Sequence, residues 1–537
     1  MASLDPVSGA LGQKAAAHLL RRTTFGPRKQ DIDQFATLTA DQAIGQLLQA
    51  QPQPQPPPVP PPNADREVDD GLMQEYFRGW AVDQMRISGL SALEKLTFFL
   101  HTHFTTIRQV VDKSKALYYQ NVLLRSYALG NLKTLAQKIS IDNAMLILLD
   151  GRLNEAGAPN ENYAREFLEL YTIGKGPQTS ADNFTNYTES DIREAARVLS
   201  GYEYDETYAN LDPETGLPIG ILNVGRHDSG TKQFSSAFGN RNIAPNALQG
   251  KQATPAAALD ELNQLVTMIF DQPETARHLC RKIYRFFVFY DITAEIEQDI
   301  IVPLSEVLQN NNYEIRAVLE MLWKSKHFYD LDNGVKTDDN RGGIIKSPLD
   351  LVLGTLRFFQ VPLPASSNLI AFYESTYKDG LLAMMEDQGM LFYDPYDVAG
   401  YDAYHQAPAY NRNWISANFL ARRYQFATLL MQGKNKNGGE LGFQLDIVLY
   451  VKNPQNITDA SNPQLMVQEF IDNLLPEIIS QERFDYFLND LLLDNLSVIN
   501  WQLEWNNYLN NGDDTAVRGQ LEKLMKAILQ SPEYQLF

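Results

Sequence analysis

"YAREFLELYTIG" (residues 163–174) decides how the chain is read. Its apolar residues Tyr163, Phe167, Leu168, Leu170 and Tyr171 fall three and four apart, the period of a helix with one buried face. Gly174 ends the run, and upstream Pro159 and Asn160 supply a non-helical residue and then an N-cap. Asn160 can accept from amide nitrogens two or three positions on.

The same spacing recurs outward in both directions. It is present in "LEKLTFFLHTHF" (93–104), "KALYYQNVLLRSYALG" (115–130), "LKTLAQKISIDNAMLILLD" (132–150) and "SDIREAARVLSGY" (190–202). It continues in "ARHLCRKIYRFFVFY" (276–290), "IRAVLEMLWKSKHF" (315–328) and "LEKLMKAILQSPEYQLF" (521–537). Strand signals are few: "PIGILNVG" (218–225) and the partly alternating "GFQLDIVLYV" (442–451). The predicted fold class is mainly α, a large multi-helix body with long loops at 203–257, 329–346 and 391–413 and little β structure.

The predicted organisation is an N-terminal helical segment (1–50), a strap or linker (51–70) and a large helical body (71–537), with a subdivision near 330–350. The strap is set by "QPQPQPPPVPPPNAD" (51–65), whose prolines favour an extended polyproline II path.

Formal net charge is −20, from 46 Lys and Arg against 66 Asp and Glu, and the sequence pI is about 4.8. Such a field repels nucleic acid and anionic membranes, so neither is an expected partner. The one cysteine, Cys280, permits no internal disulfide and reads as a buried thiol. No run of about 18 apolar residues marks a transmembrane helix. "RRTTF" (21–25) has a twin-arginine start but no apolar region after it, so the default expectation is a cytoplasmic protein, with export alongside a partner as the alternative.

Several polar residues could carry chemistry. Glu161 and Arg165, and Arg165 and Glu169, stand four apart and read as helix ion pairs. Glu166 is left over at the edge of the apolar face, where an acid can serve as ligand or base. Thr188 and Asp191 form a near capping box, and Glu194 can pair with Arg197. His101 and His103 could share a metal only if their helix ends there, because two positions on a helix are about 200° apart. "GRHDSGTK" (225–232) places His227, Asp228 and Lys232 in a loop without core periodicity, which suits metal binding or proton transfer as well as a plain turn. Arg277, Arg281 and Arg285 recur every four residues and read first as partners for internal carboxylates. The segment 391–414 mixes aromatic residues with Asp394, Asp397, Asp402 and His405, either lining a pocket or pinning a long loop. G-x-S-x-G, P-loop, G-x-G-x-x-G, H-E-x-x-H, C-x-x-C and EF-hand patterns are all missing from the sequence.

Taken together, "AAAHLLRRTTFGP", "FFLHTHFTT", "NAMLILLDGRLNEAGAPNENYAREFLELYTIG", "YTESDIREAARVLSGY", "RHDSGTK" and "SPEYQL", in that order, resemble the bacterial family catalogued as domain of unknown function 1800. The similarity spans nearly the whole chain, and the run from Pro159 to Glu166 is its most specific part. The chain departs from the family at Leu100, where the pattern has Trp. The resemblance implies no particular reaction. It does imply a partner protein related to the sulfatase and alkaline phosphatase group, and it adds weight to the polar residues of the matching segments.

The leading expectation is a metal-assisted enzyme, hydrolase before oxidoreductase. His101, His103, Glu166, His227 and Asp228 would hold a divalent Zn, Mn or Fe. Glu161 or Glu169 would orient a ligand or act as general base, and Arg165 would hold that group or a substrate anion. The alternative is a non-catalytic helical scaffold that binds or escorts a partner protein.

Overall fold

The stretch 163–174 is helical, but it changes winding part-way. In the computed structural model, which describes residues 2–62, 68–180, 183–332 and 340–537, Asn162–Glu166 is α-helical and Phe167–Tyr171 is a π-helix. Asn160 Oδ1 accepts from the Asn162 amide at 3.0 Å, so it caps as its sequence position predicts. Tyr163, Phe167, Leu168 and Tyr171 are buried, and the Tyr163 hydroxyl donates to Ile139 O at 2.6 Å. The π turn takes more residues per turn than an α-helix, so the register of charges four apart is lost across it.

The described chain is 56% helical and 6% strand, a mainly α fold. Its strands are short and pair only as two-stranded antiparallel sheets between residues 178 and 253. Tyr202–Glu203 pairs with Ile221–Leu222, which places the predicted "PIGILNVG" strand.

Two expectations about elements are corrected. The run 132–150 is not one helix: Leu132–Ile139 stops, and Asp142 starts Asn143–Leu148 by accepting from the amides of Ala144 and Met145. "GFQLDIVLYV" is not a strand, because Asp446 caps a helix over Ile447–Lys452 through the amides of Val448 and Leu449. In both cases a local N-cap overrides the pattern read across it.

The helices close on a shared apolar interior that includes Leu19, Leu20, Phe98, Leu124, Ile283, Trp323 and Leu353. The N-terminal helix Gly12–Thr23 packs against Lys29–Ala36 and also touches Pro463–Leu474. Gly26 meets Gly354 so closely that a Cβ there would lie 2.6 Å from the Gly354 Cα. The prolines lie over the surface, with Gln55 O accepting from Trp80 Nε1 at 2.9 Å. Residues 63–67 of the strap and 333–339 of the suggested subdivision lie outside the described residues.

The segment after Met390 is tied to the C-terminal end of the helix Leu93–His103. Asp394 accepts from Arg108 Nε at 2.7 Å and from the Gln109 amide at 2.9 Å. The Tyr393 ring stacks on His101 at 4.0 Å between centroids, and Gly400 lies against Thr102 and Thr105. These aromatics pin the loop, and Asp397 and His405 are carried to the body with it.

Candidate acid–base site

Four charges of the opening helix separate once the π turn is in place. Arg165 grips Glu189 with both terminal nitrogens, at 2.6 and 2.7 Å, and reaches Glu161 only at 3.4 Å. Glu169 pairs instead with Lys175 and accepts from the Tyr187 hydroxyl at 3.4 Å, so the expected Arg165–Glu169 pair is not made. Glu166 has no hydrogen bond or ion pair among the described residues and is half-buried. Burial pushes its carboxyl up to about 7, Glu169 and Asp397 add to the shift, and Lys175 and Arg165 oppose it.

Histidines on two other helices close the end of the π turn. His103 Nε2 donates to Tyr171 O at 3.0 Å, and His278 Nε2 to Leu170 O at 3.4 Å, so imidazoles satisfy carbonyls that a helix end leaves open. Gly174, at φ +73°, lets the His278 ring in: a Cβ there would lie 2.6 Å from its Nδ1. One turn beyond His278, Lys282 is half-buried with no ion pair among the described residues. Burial lowers its ammonium to about 8, with Arg285 adding to the effect.

The pinned loop supplies the remaining side. His405 is held below its usual range by burial and then by Lys282, while Asp402 and Asp397 pull the other way. Its Nε2 makes no hydrogen bond, and Asp402 Oδ1 stands 3.8 Å away. The buried Tyr171 hydroxyl is also without a partner, and it feels the charges of Glu166 and Asp397 after burial itself. Glu166, Asp397, His405, Lys282 and Tyr171 thus form one half-open neighbourhood of proton-active groups. Such a set, with an acid raised and a base lowered toward neutrality, is typical of functional sites.

A family model described as "Protein of unknown function (DUF1800)" matches residues 18–536. The chain belongs to that family. No curated protein and no solved structure matches it.

Within this DUF1800 chain the other predicted residues lie in separate settings. His101 is in the core against Tyr393, with both ring nitrogens unpartnered. Its helix does end at His103, but only the His103 ring reaches the π turn. His227 donates or accepts at Ser200 O and Glu261 Oε2, each at 2.8 Å, and Lys232 meets the other oxygen of Glu261 at 2.5 Å. Asp228 is fixed by Arg197 at 2.8 Å. The helix Glu189–Val198 spans the two neighbourhoods: Glu189 serves Arg165, and Arg197, eight residues on, serves Asp228. That is a separation of about 12 Å along the axis. Among the described residues no three His, Cys, Asp or Glu side chains are arranged to hold a metal ion.

Sequence reasoning brings Glu161, Arg165, Glu166 and Glu169 to one helix of the DUF1800 chain, and it leaves Asp397, His405, Lys282 and His278 out of the site. Their convergence depends on loop and helix packing across more than 200 residues. The one local signal is Gly174, whose left-handed backbone at the helix end admits a ring from elsewhere. A larger cavity, about 580 Å³, lies between residues 359–364 and 433–456. Its acids are Glu440 and Asp446, the latter used by its own helix and by Arg518, so it offers little acid–base chemistry.

Proposed function

We propose that this protein is an acid–base enzyme working at the Glu166 neighbourhood, and that it hydrolyses a substrate bearing a negative group. The observation that carries this reading is Glu166 itself: an acid free of protein partners, half-open to solvent and poised to exchange a proton near neutral pH. In its protonated form it can give a proton to a leaving oxygen. The carboxylate left behind can take one from the attacking water. Lys282, also without a counter-ion, is placed to receive the substrate's negative group, and His405 is a second proton acceptor on the facing loop.

The expected Zn, Mn or Fe is given no step. His227 and Asp228 are engaged by Glu261 and Arg197, and the carboxylates near Glu166 do not form a ready-made metal group with a third ligand among the described residues. Elemental analysis of the same preparations separates metal-assisted from metal-free turnover.

The test is a panel of nitrophenyl esters and phosphates offered to the wild type, Glu166→Gln and Lys282→Met. The expected result is turnover with a pH limb near 7 that falls by at least about a hundredfold in Glu166→Gln, and a raised KM in Lys282→Met. Turnover that survives Glu166→Gln refutes the assignment.

A further inference from the structure

The interior holds an imbalance of charge far from Glu166. Five basic side chains, Arg21, Arg22, Lys95, Lys346 and Arg423, are buried where the helices Gly12–Thr23 and Pro348–Phe358 meet the segment Ser531–Phe537. Only one of them meets a carboxylate: Lys95 bonds Asp350, whose second oxygen accepts from Ser347 Oγ at 2.8 Å. The other four rest on dipoles. Arg21 donates to Asn473 O at 2.6 Å and more weakly to Leu475 O. Arg22 reaches Val288 O at 2.9 Å and Asn340 O. Lys346 reaches Tyr534 O at 2.6 Å, and Arg423 donates to Gln535 Oε1 and Lys346 O, each at 2.9 Å. Arg423 Nη1 and Arg22 Nε are buried with no acceptor at all.

Carbonyl dipoles do not neutralise a buried cation, and several close together repel one another. The strain shows in their protonation: burial lowers Arg21 to about 10 and both Arg22 and Arg423 to about 9. It drives Lys346 well below its usual range, with Arg21 and Arg423 adding to the effect. Between these groups lies a cavity of about 30 Å³ lined by Arg21, Lys346, Asn473 and Tyr534 among others. That is room for roughly two waters or one small ion.

We propose that this cavity binds a small monovalent anion, a halide or a carboxylate headgroup, between Arg21 and Lys346. The anion completes the charge balance of the cluster and ties the N-terminal helix to the segment Ser531–Phe537. Its binding makes the stability of the fold depend on the anion present.

The test is thermal unfolding at constant ionic strength while sodium gluconate is replaced by sodium chloride. The expected result is a saturable rise of about 1–2 °C, lost in Lys346→Met. Should Lys346→Met not fold, crystals of the wild type grown in sodium bromide provide the second readout, an anomalous scattering peak between Arg21 and Lys346. A melting temperature indifferent to chloride, or a bromide crystal with no peak there, overturns the proposal and places the charge balance within the chain.

Discussion

Glu166→Gln should make the protein more stable at alkaline pH while leaving it unchanged in acid. The sign follows from linkage. A carboxyl raised from an ordinary 4.5 to about 7 keeps its proton in the folded state after the unfolded chain has lost it. Below pH 4.5 both states hold the proton and Glu166 contributes nothing. Between 4.5 and 7 the unfolded state gains from ionisation and stability falls as pH rises; above 7 the whole penalty is present. At about 1.4 kcal/mol per pH unit the gap amounts to about 3 kcal/mol. Glu166 is only half-buried, so solvent screening reduces this to about 1–2 kcal/mol. Glutamine keeps the shape of the protonated acid and cannot ionise. In a chain of 537 residues that gain corresponds to about 1–2 °C in melting temperature at pH 8. Paired calorimetric scans of the two proteins at pH 4.5 and pH 8 provide the assay. A difference that is the same at both pH values, or a less stable variant at pH 8, refutes the placement of Glu166 in a proton-retaining site. A gain in stability joined to a loss of activity is the usual mark of a group held for function.

Two other perturbations probe the same structure. Asp397→Asn removes a negative neighbour and should move the pH at which Glu166 loses reactivity toward carbodiimide downward, whereas Lys175→Met should move it upward; peptide mass mapping across pH 5–9 reads both, and no movement in either variant would show that Glu166 does not feel these charges. Lys232→Met leaves the fully buried Glu261 carboxylate with His227 alone and should cost about 3–5 kcal/mol in urea unfolding, with much of the loss recovered by adding Glu261→Gln; a loss under about 1 kcal/mol would contradict the buried network.

What the sequence discloses about this protein is mostly local. The three-and-four spacing fixes the helices, the Asn160 cap and the Thr188–Asp191 box, because those depend on residues within one turn. The break at Asp142 and the helix after Asp446 escape it for a related reason: periodicity averages across a cap that acts on two amides only. Glu166 stands out in the sequence as the acid without a helical partner, and in the fold it makes no ion pair among the described residues. Glu169 reads through an α-helical register that the π turn replaces. His227 and Asp228 resemble a site because no core period explains them, yet Glu261 and Arg197, 34 and 31 residues distant in the chain, account for both. Asp397 and His405 are visible as polar residues in an aromatic loop, but only the docking of that loop against Thr102 and Thr105 carries them toward Glu166.

The change of winding at Phe167–Tyr171 makes the length of this helix as important as its composition. A single-residue deletion there would let the segment relax to ordinary α-helix and turn everything after it by about 100° relative to what precedes. Glu166 would keep its address, but Tyr171 and Gly174 would leave the histidines that close on them. The chemistry of the site is therefore phased by backbone count, and a homologue with every charged residue intact but one residue fewer in this turn would carry the same letters in a different machine.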